Sequence, residues 1–294
     1  MSEVKPDAQS VIGYEFPPLT FSYTERDVAL YALGVGAAAD PLDPDELKFV
    51  YELSGKGFQA LPTFAVLYPS RMIGVLVSGE IGPIRFNPMM LVHGEQYLEI
   101  RRPVPTAGNI TCHSKVSHIY DKGSGMVVVT DTSCRDEDGQ EIAFNQSAMF
   151  IRGLGGFGGE RGPSTSEQNI PPDRPPDFVA EQKTLPQQAL IYRLSGDLNP
   201  LHADPQMAAL GNFDRPILHG LCTFGFAARA VLKHVCGNDP ARFKSIKVRF
   251  TKHVFPGETL ITEIWKAAED RVIFRVKVAE RGEIVLNNAA IELQ

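Results

Sequence analysis

The chain repeats its own pattern, and that repetition limits what it can fold into. Residues 95–116 read EQYLEIRRPVPTAGNITCHSKV and are followed at 126–151 by MVVVTDTSCRDEDGQEIAFNQSAMFI. Residues 246–267 read IKVRFTKHVFPGETLITEIWKA and are followed at 271–293 by RVIFRVKVAERGEIVLNNAAIEL. Both regions show apolar alternation of period two, the mark of half-buried strands. Each gives a strand, a Pro/Gly turn and a strand, then a strand pair joined by a charged turn with glycine, RDEDGQE or AERGE. Self-similarity over this length means one antiparallel unit built twice.

Helical patterns precede the strands in both copies. In the second, LCTFGFAARAVLKHV sets Leu221, Phe224, Ala228, Val231 and Val235 near helical spacing, which predicts one apolar stripe. In the first, TFAVLYPSRMIGVLV is equally apolar, but Pro69 and Gly74 interrupt it, so a short or broken helix is expected. Such a break would leave room for a long or bulky apolar ligand. Between the copies runs GLGGFGGERGPSTSEQNIPPDRPPDF, whose glycine and proline content marks a surface connector. The resulting class is α+β, divided into a first repeat at 1–152, a connector at 153–185 and a second repeat at 186–294.

Length and charge narrow the functions. The 294 residues suffice for a substantial core, and 43% apolar with 22% charged residues is a soluble globular composition. A net charge of −6 argues against nucleic acid as a partner, although a local cation can still meet an anionic ligand. Cys112, Cys134, Cys222 and Cys236 lack CxxC spacing and lie in apolar stretches, so they read as reduced core residues, with no metal expected. The start MSEVKPDAQS is polar, no apolar run is long enough for a membrane span, and the end IELQ is not an SKL-type address.

Comparing the copies shows where chemistry resides. Setting LYALGVGAAADPLD against IYRLSGDLNPLH pairs Tyr31 with Tyr192, Leu33 with Leu194, and, after a two-residue offset, Pro41-Leu42 with Pro200-Leu201. The framework repeats and the polar groups do not: alanines stand opposite Asp197, and Asp43 stands opposite His202. A residue that only builds the fold should serve in either copy. Asp197 and His202 flank an Asn-Pro bend that breaks the preceding helix and can aim both side chains at one spot. Singly, they also fit a turn aspartate and a hydrogen-bonded core histidine. Together they suit acid/base handling of water.

A second element follows in PILHGLCTFGF. Gly220 stands where the apolar helix begins, so its N–H is an unpaired helix donor with the macrodipole behind it. Such a donor stabilises negative charge on a carbonyl oxygen. Gly153, Gly155 and Gly158 also satisfy GxGxxG, but no helix pattern follows to hold a phosphate, so a nucleotide loop is not expected.

These motifs carry a family resemblance. YRLSGDLNPLHADP with PILHGLCTFGFAARAVL resembles the (R)-specific enoyl-CoA hydratases, also called hydratase 2 or MaoC-like dehydratases. The likeness extends through LVHGEQYLEI, YDKGSG, the GGFGG connector and PGETL, over nearly the whole chain. It is strongest toward the hydratase domain of the peroxisomal multifunctional enzyme, here without its dehydrogenase and sterol-carrier domains. The resemblance implies a double hotdog fold and hydration of trans-2-enoyl-CoA to (3R)-3-hydroxyacyl-CoA in fatty-acid oxidation. It makes Asp197 and His202 the catalytic pair, has Asn199 help hold the water, and has Gly220 bind the thioester oxygen. It places His93, Gly94, Lys122 and Phe250 along the CoA-thioester site. Coenzyme A then enters as part of the substrate and no separate cofactor is expected; a homodimer is expected, and the location is peroxisomal by resemblance and otherwise cytoplasmic. Two alternatives stay open: a hotdog acyl-CoA thioesterase, and an acyl-CoA binding protein without chemistry.

Overall fold

The computed structural model describes residues 8–70, 78–164 and 167–294. Its centre is one antiparallel sheet of ten strands in the order β1-β5-β6-β7-β4-β9-β12-β11-β10-β8. The first half holds β1 (Leu19–Tyr23), β4 (Leu91–Ile100), β5 (Gly108–Asp121), β6 (Gly125–Arg135) and β7 (Glu141–Arg152). The second holds β8 (Phe178–Lys183), β9 (Phe243–Phe250), β10 (Thr259–Ala268), β11 (Arg271–Val278) and β12 (Ile284–Leu293). A small hairpin, β2 (Glu80–Ile81) with β3 (Ile84–Arg85), lies apart from it. Exchanging β1, β4, β5, β6 and β7 for β8, β9, β10, β11 and β12 maps one half of the sheet onto the other. The two units are copies in space as well as in sequence.

They join where equivalent strands meet. β4 and β9 run antiparallel from Glu95↔Arg249 to Glu99↔Ser245, which places a local twofold between the halves. One core cluster crosses that axis and contains Tyr31 and Phe64 from the first half with Tyr192 and Phe224 from the second. Tyr31 and Tyr192, matched by the sequence comparison, are fully buried with ring centroids 6.1 Å apart.

The helix Gly220–Cys236 is the long helix of the second half. The expected single stripe understates its burial: Cys222, Phe226, Ala227 and Leu232 are buried as well as Phe224, Ala228 and Val231. The helix is wrapped by sheet and first-half segments, so nearly every face needs apolar or small residues. Gly225 shows how close the approach is, since a Cβ there would stand 2.4 Å from Val35 Cγ1. The first-half counterpart is a 3-10 helix, Pro62–Ser70, with Pro69 inside it, in keeping with the expected break. Gly74 and the rest of that interrupted stretch, 71–77, lie outside the described residues.

Two boundaries differ from the sequence expectation. β8 falls within the stretch read as connector, because PDFVAEQK alternates and pairs with β10 from Thr259↔Lys183 to Ile264↔Phe178. The helix before the Asn-Pro bend, Gln188–Tyr192 continued by a 3-10 turn Arg193–Ser195, ends at Gly196 rather than at that bend. Gly196 has φ 125°, a conformation that favours glycine, and it ends the helix before Asp197 is reached. All four cysteines are free and buried, as expected. No helix among the described residues is long and apolar enough to cross a membrane.

Candidate active site

Each residue of GDLNPLH has a local task. Gly196 turns the chain, and a Cβ on it would approach Ser70 Oγ to 3.1 Å, so the loop lies against the first half. The Asp197 carboxylate accepts the N–H of Asn199 at 3.2 Å, an Asx turn. The side-chain oxygen of Asn199 caps the 3-10 turn Pro200–His202 by accepting the N–H of Leu201 at 3.0 Å. The turn makes no use of the amide NH₂ of Asn199. Asp197 and Asn199 are half-buried and His202 is buried, with 9% exposed.

His202 Nδ1 lies 2.9 Å from the carbonyl of Ile217 and donates to it, which fixes the tautomer. Nε2 is therefore the free basic nitrogen. Burial lowers the His202 pKa, opposed by the Asp197 carboxylate and by the bond to Ile217. The ring is thus neutral at pH 7 and able to take a proton.

His219, the N-cap of the long helix, stacks on His202 with centroids 3.8 Å apart and an interplanar angle of 30°. This brings the start of the helix, and hence Gly220, beside the Asp197–His202 pair. The N–H of Gly220, at the first helical position, has no partner within the helix and has the macrodipole behind it. Phe250, at the end of β9, closes over this point: a Cβ on Gly220 would lie 3.0 Å from Phe250 Cε1. On its other side Phe250 meets the His93 ring at 4.8 Å. His93 and Gly94 sit at a bulge where the β4–β7 register shifts between His93 and Glu95. His93 donates through Nε2 to the Glu95 carbonyl at 3.1 Å, and burial pushes its pKa down to about 4. A continuous wall thus runs from the first half, through His93 and Phe250, to Gly220.

Lys122 is not part of that wall. It stands in the turn between β5 and β6, where its ammonium donates to the carbonyls of Arg161 and Pro163 in the connector. The GxGxxG stretch is tied to the same turn. The Asp121 carboxylate accepts the N–H groups of Gly123, Gly156 and Gly158, each at 2.8 Å, and those bonds lower its pKa to about 2. Glycine amides that a nucleotide loop would aim at phosphate are turned here toward a carboxylate of the same chain.

Asp197, His202 and His219 offer potential ligand atoms within 4.8 Å of one another. Ring planes as near and as nearly parallel as those of the two histidines converge well beyond the ~2 Å length of a metal–nitrogen bond. The geometry suits acid/base work on a water better than shared ligation. His219 is the site residue that the sequence pattern does not single out. Its signal is the His-Gly pair itself, present once in each half as His93-Gly94 and His219-Gly220.

The first copy is built differently. Asp43, opposite His202 in sequence, caps the helix Pro44–Leu47 through the N–H of Asp45 at 2.9 Å and pairs with Lys233 at 2.9 Å. Asp43→Ala is accordingly expected to cost about 1 kcal/mol of stability as a lost cap. Turnover should stay at the wild-type level; a loss equal to that of His202→Ala in the same assay would show that both copies catalyse.

Known proteins share both halves. Residues 21–153 match the MFE-2 hydratase 2 N-terminal domain, and residues 167–289 match the MaoC like domain. A probable enoyl-CoA hydratase 2 of Dictyostelium discoideum is 48% identical, with 96% of this chain and 95% of that one aligned. The chain belongs to the MaoC-like hydratase 2 family. The mouse peroxisomal multifunctional enzyme type 2 is 46% identical over 96% of this chain and 38% of its own length. Among solved structures, a MaoC-like dehydratase from Phytophthora capsici superposes with TM-score 0.86 at 39% identity, covering 97% of this chain and 96% of that one. For this hydratase 2 family member, the two sheet halves about the β4–β9 seam are the two units of a double hotdog.

Proposed function

We propose that the protein adds water to trans-2-enoyl-CoA to give (3R)-3-hydroxyacyl-CoA, reversibly. The observation that carries this reading is the placement of His202, its Nδ1 committed to Ile217, beside Asp197 and the first turn of the long helix. Water is held between Asp197, His202 and the Asn199 amide. His202 takes the water's proton as the oxygen attacks C3, and electron density moves to the thioester oxygen. The Gly220 N–H and the helix dipole stabilise that enolate. The pair then delivers a proton to C2, so the elements of water are added and the thioester bond is untouched. No separate cofactor enters this sequence. The names of the relatives, enoyl-CoA hydratase 2 and peroxisomal multifunctional enzyme, support the substrate class and a peroxisomal setting, and fatty-acid oxidation is the context in which we place the reaction. A homodimer is the assembly we expect, and light scattering at twice the chain mass would test it.

The test follows enoyl absorbance at a series of chain lengths, with chiral analysis of the product and a thiol reagent present. Loss of absorbance with an R product and no free CoA is the expected result. Free CoA would indicate a thioesterase, and binding without any absorbance change would indicate a carrier.

Lys122 provides a test of the CoA end. If its ammonium reaches a CoA phosphate, Lys122→Ala raises KM several-fold with kcat unchanged, about 1 kcal/mol for one partly exposed contact. The effect shrinks with added salt. A pantetheine thioester, which lacks the nucleotide phosphates, should be hydrated equally by both proteins. Equal impairment with both substrates would instead assign Lys122 to holding the connector.

A further inference from the structure

His219 has no part in the reaction as derived above, yet three observations place it against both catalytic groups. Its ring stacks on His202 at 3.8 Å. Its Nε2 lies 3.2 Å from the main-chain carbonyl of Asp197 and donates to it, the one hydrogen bond the ring makes among the described residues. The ring is 1% exposed, and its Nδ1 is buried without a partner. Burying an imidazole with one nitrogen unpaired costs free energy that a phenyl ring would avoid. A residue needed only to fill space beside Tyr192, whose ring lies 4.9 Å away, would be better apolar.

We propose that His219 is a positioning residue for the hydration: it braces the Asp197 main chain and the face of the His202 ring at once, setting the spacing of the acid/base pair. The inference rests on the hydratase reading. It is a specific demand on the fold, because the Asp197 end of the loop that runs to His202 is held otherwise by short local bonds, while the His202 end is tied to Ile217. His219, as N-cap of the long buried helix, is anchored to the core. One rigid element thus fixes the loop from outside it. To do so the ring must remain the neutral Nε2–H tautomer. Burial and the neighbouring His202 hold its pKa well below the ordinary histidine value. The titratable and charged groups around the two rings are Asp197, Tyr192 and Arg193, and none of them is placed to donate to Nδ1.

Two variants separate bracing from packing. His219→Phe keeps an aromatic ring against His202 and removes the donor to Asp197; His219→Gln keeps an amide donor. For His219→Phe, kcat should fall about 10²-fold, the scale for a misplacement near 1 Å, with KM unchanged. The acid limb of its kcat/KM profile should move to lower pH, because a displaced Asp197 no longer raises the pKa of His202. His219→Gln should recover most of the turnover and restore the limb. Equal losses in both variants with the limb unmoved, or full activity in His219→Phe, would overturn the brace. Should the Phe variant not fold, ¹⁵N imidazole spectra of the wild type decide: His219 as the Nε2–H tautomer, neutral from pH 5 to 9, is required, and an Nδ1–H form overturns the proposal. A wild type with no hydratase activity would remove the underlying reading instead, and that result cannot be mistaken for a failure of the brace.

Discussion

Replacing His202 by Ala should lower kcat by about 10²- to 10⁴-fold while the protein stays folded, and Asp197→Asn should do the same. That is the range over which positioned acid/base groups act. Both residues lie in the short turns between Gly196 and Ala203, outside the long helix and the sheet, so neither is expected to carry the fold. The two variants differ in pH behaviour. Burial lowers the His202 pKa, so its neutral, base-competent form persists below the ordinary histidine range, and wild-type kcat/KM should fall only at still lower pH. The Asp197 carboxylate opposes that shift by favouring the imidazolium. Removing its charge in Asp197→Asn should therefore carry the acid limb of the residual activity further down. His202→Ala should have no such limb. Steady-state rates from pH 4 to 9 with circular dichroism at each end would check both points, and near-normal turnover in either variant would refute the assignment of the pair.

What the sequence reveals of this site depends on how far each interaction reaches along the chain. The duplication, the long helix beginning at Gly220 and the pairing of Tyr31 with Tyr192 follow from periodicity and self-comparison, which need only local pattern. The GDLNPLH turn is legible for the same reason, since its Asx turn, cap and proline act within a few residues. The partner that orients His202 is different in kind. The Ile217 carbonyl is a main-chain atom 15 positions away, and any residue type there would supply it. His219 reaches back 22 positions to another main-chain carbonyl, so its role leaves no side-chain pattern beyond the His-Gly dipeptide. Lys122 illustrates the converse. Its place in the motif is clear, but its contacts are set by where the connector folds back over the β5–β6 turn.

The duplication places different polar contacts in the two copies, and Glu46→Ala is the sharpest test of what those of the first copy do. In the first copy the stretch after Tyr31 carries no equivalent of the Asp197–His202 pair, and its Asp43 and Glu46 pair with the long helix of the second copy. Arg229 on that helix and Glu46 pair at 2.9 Å with side chains 5% and 4% exposed. Arg229 also donates through Nε to the Val35 carbonyl at 3.2 Å, and Glu46 accepts the N–H of Ala38 at 2.8 Å and the Lys233 ammonium at 3.0 Å. Removing one partner of a buried pair leaves the other charge stranded, which costs roughly 3–5 kcal/mol. Glu46→Ala should lose about 3 kcal/mol in urea unfolding, since half-exposed Lys233 can turn to solvent. Turnover of the folded fraction should change by less than about twofold, since neither Glu46 nor Arg229 touches the catalytic loop. Replacing both partners with Met should recover much of the loss, as apolar substitutes for a buried pair commonly do. A stability loss below about 0.5 kcal/mol, the ordinary range for a surface change, would mean that the first copy is held by its apolar packing alone. The polar contacts of Glu46 and Arg229 would then have no structural purpose.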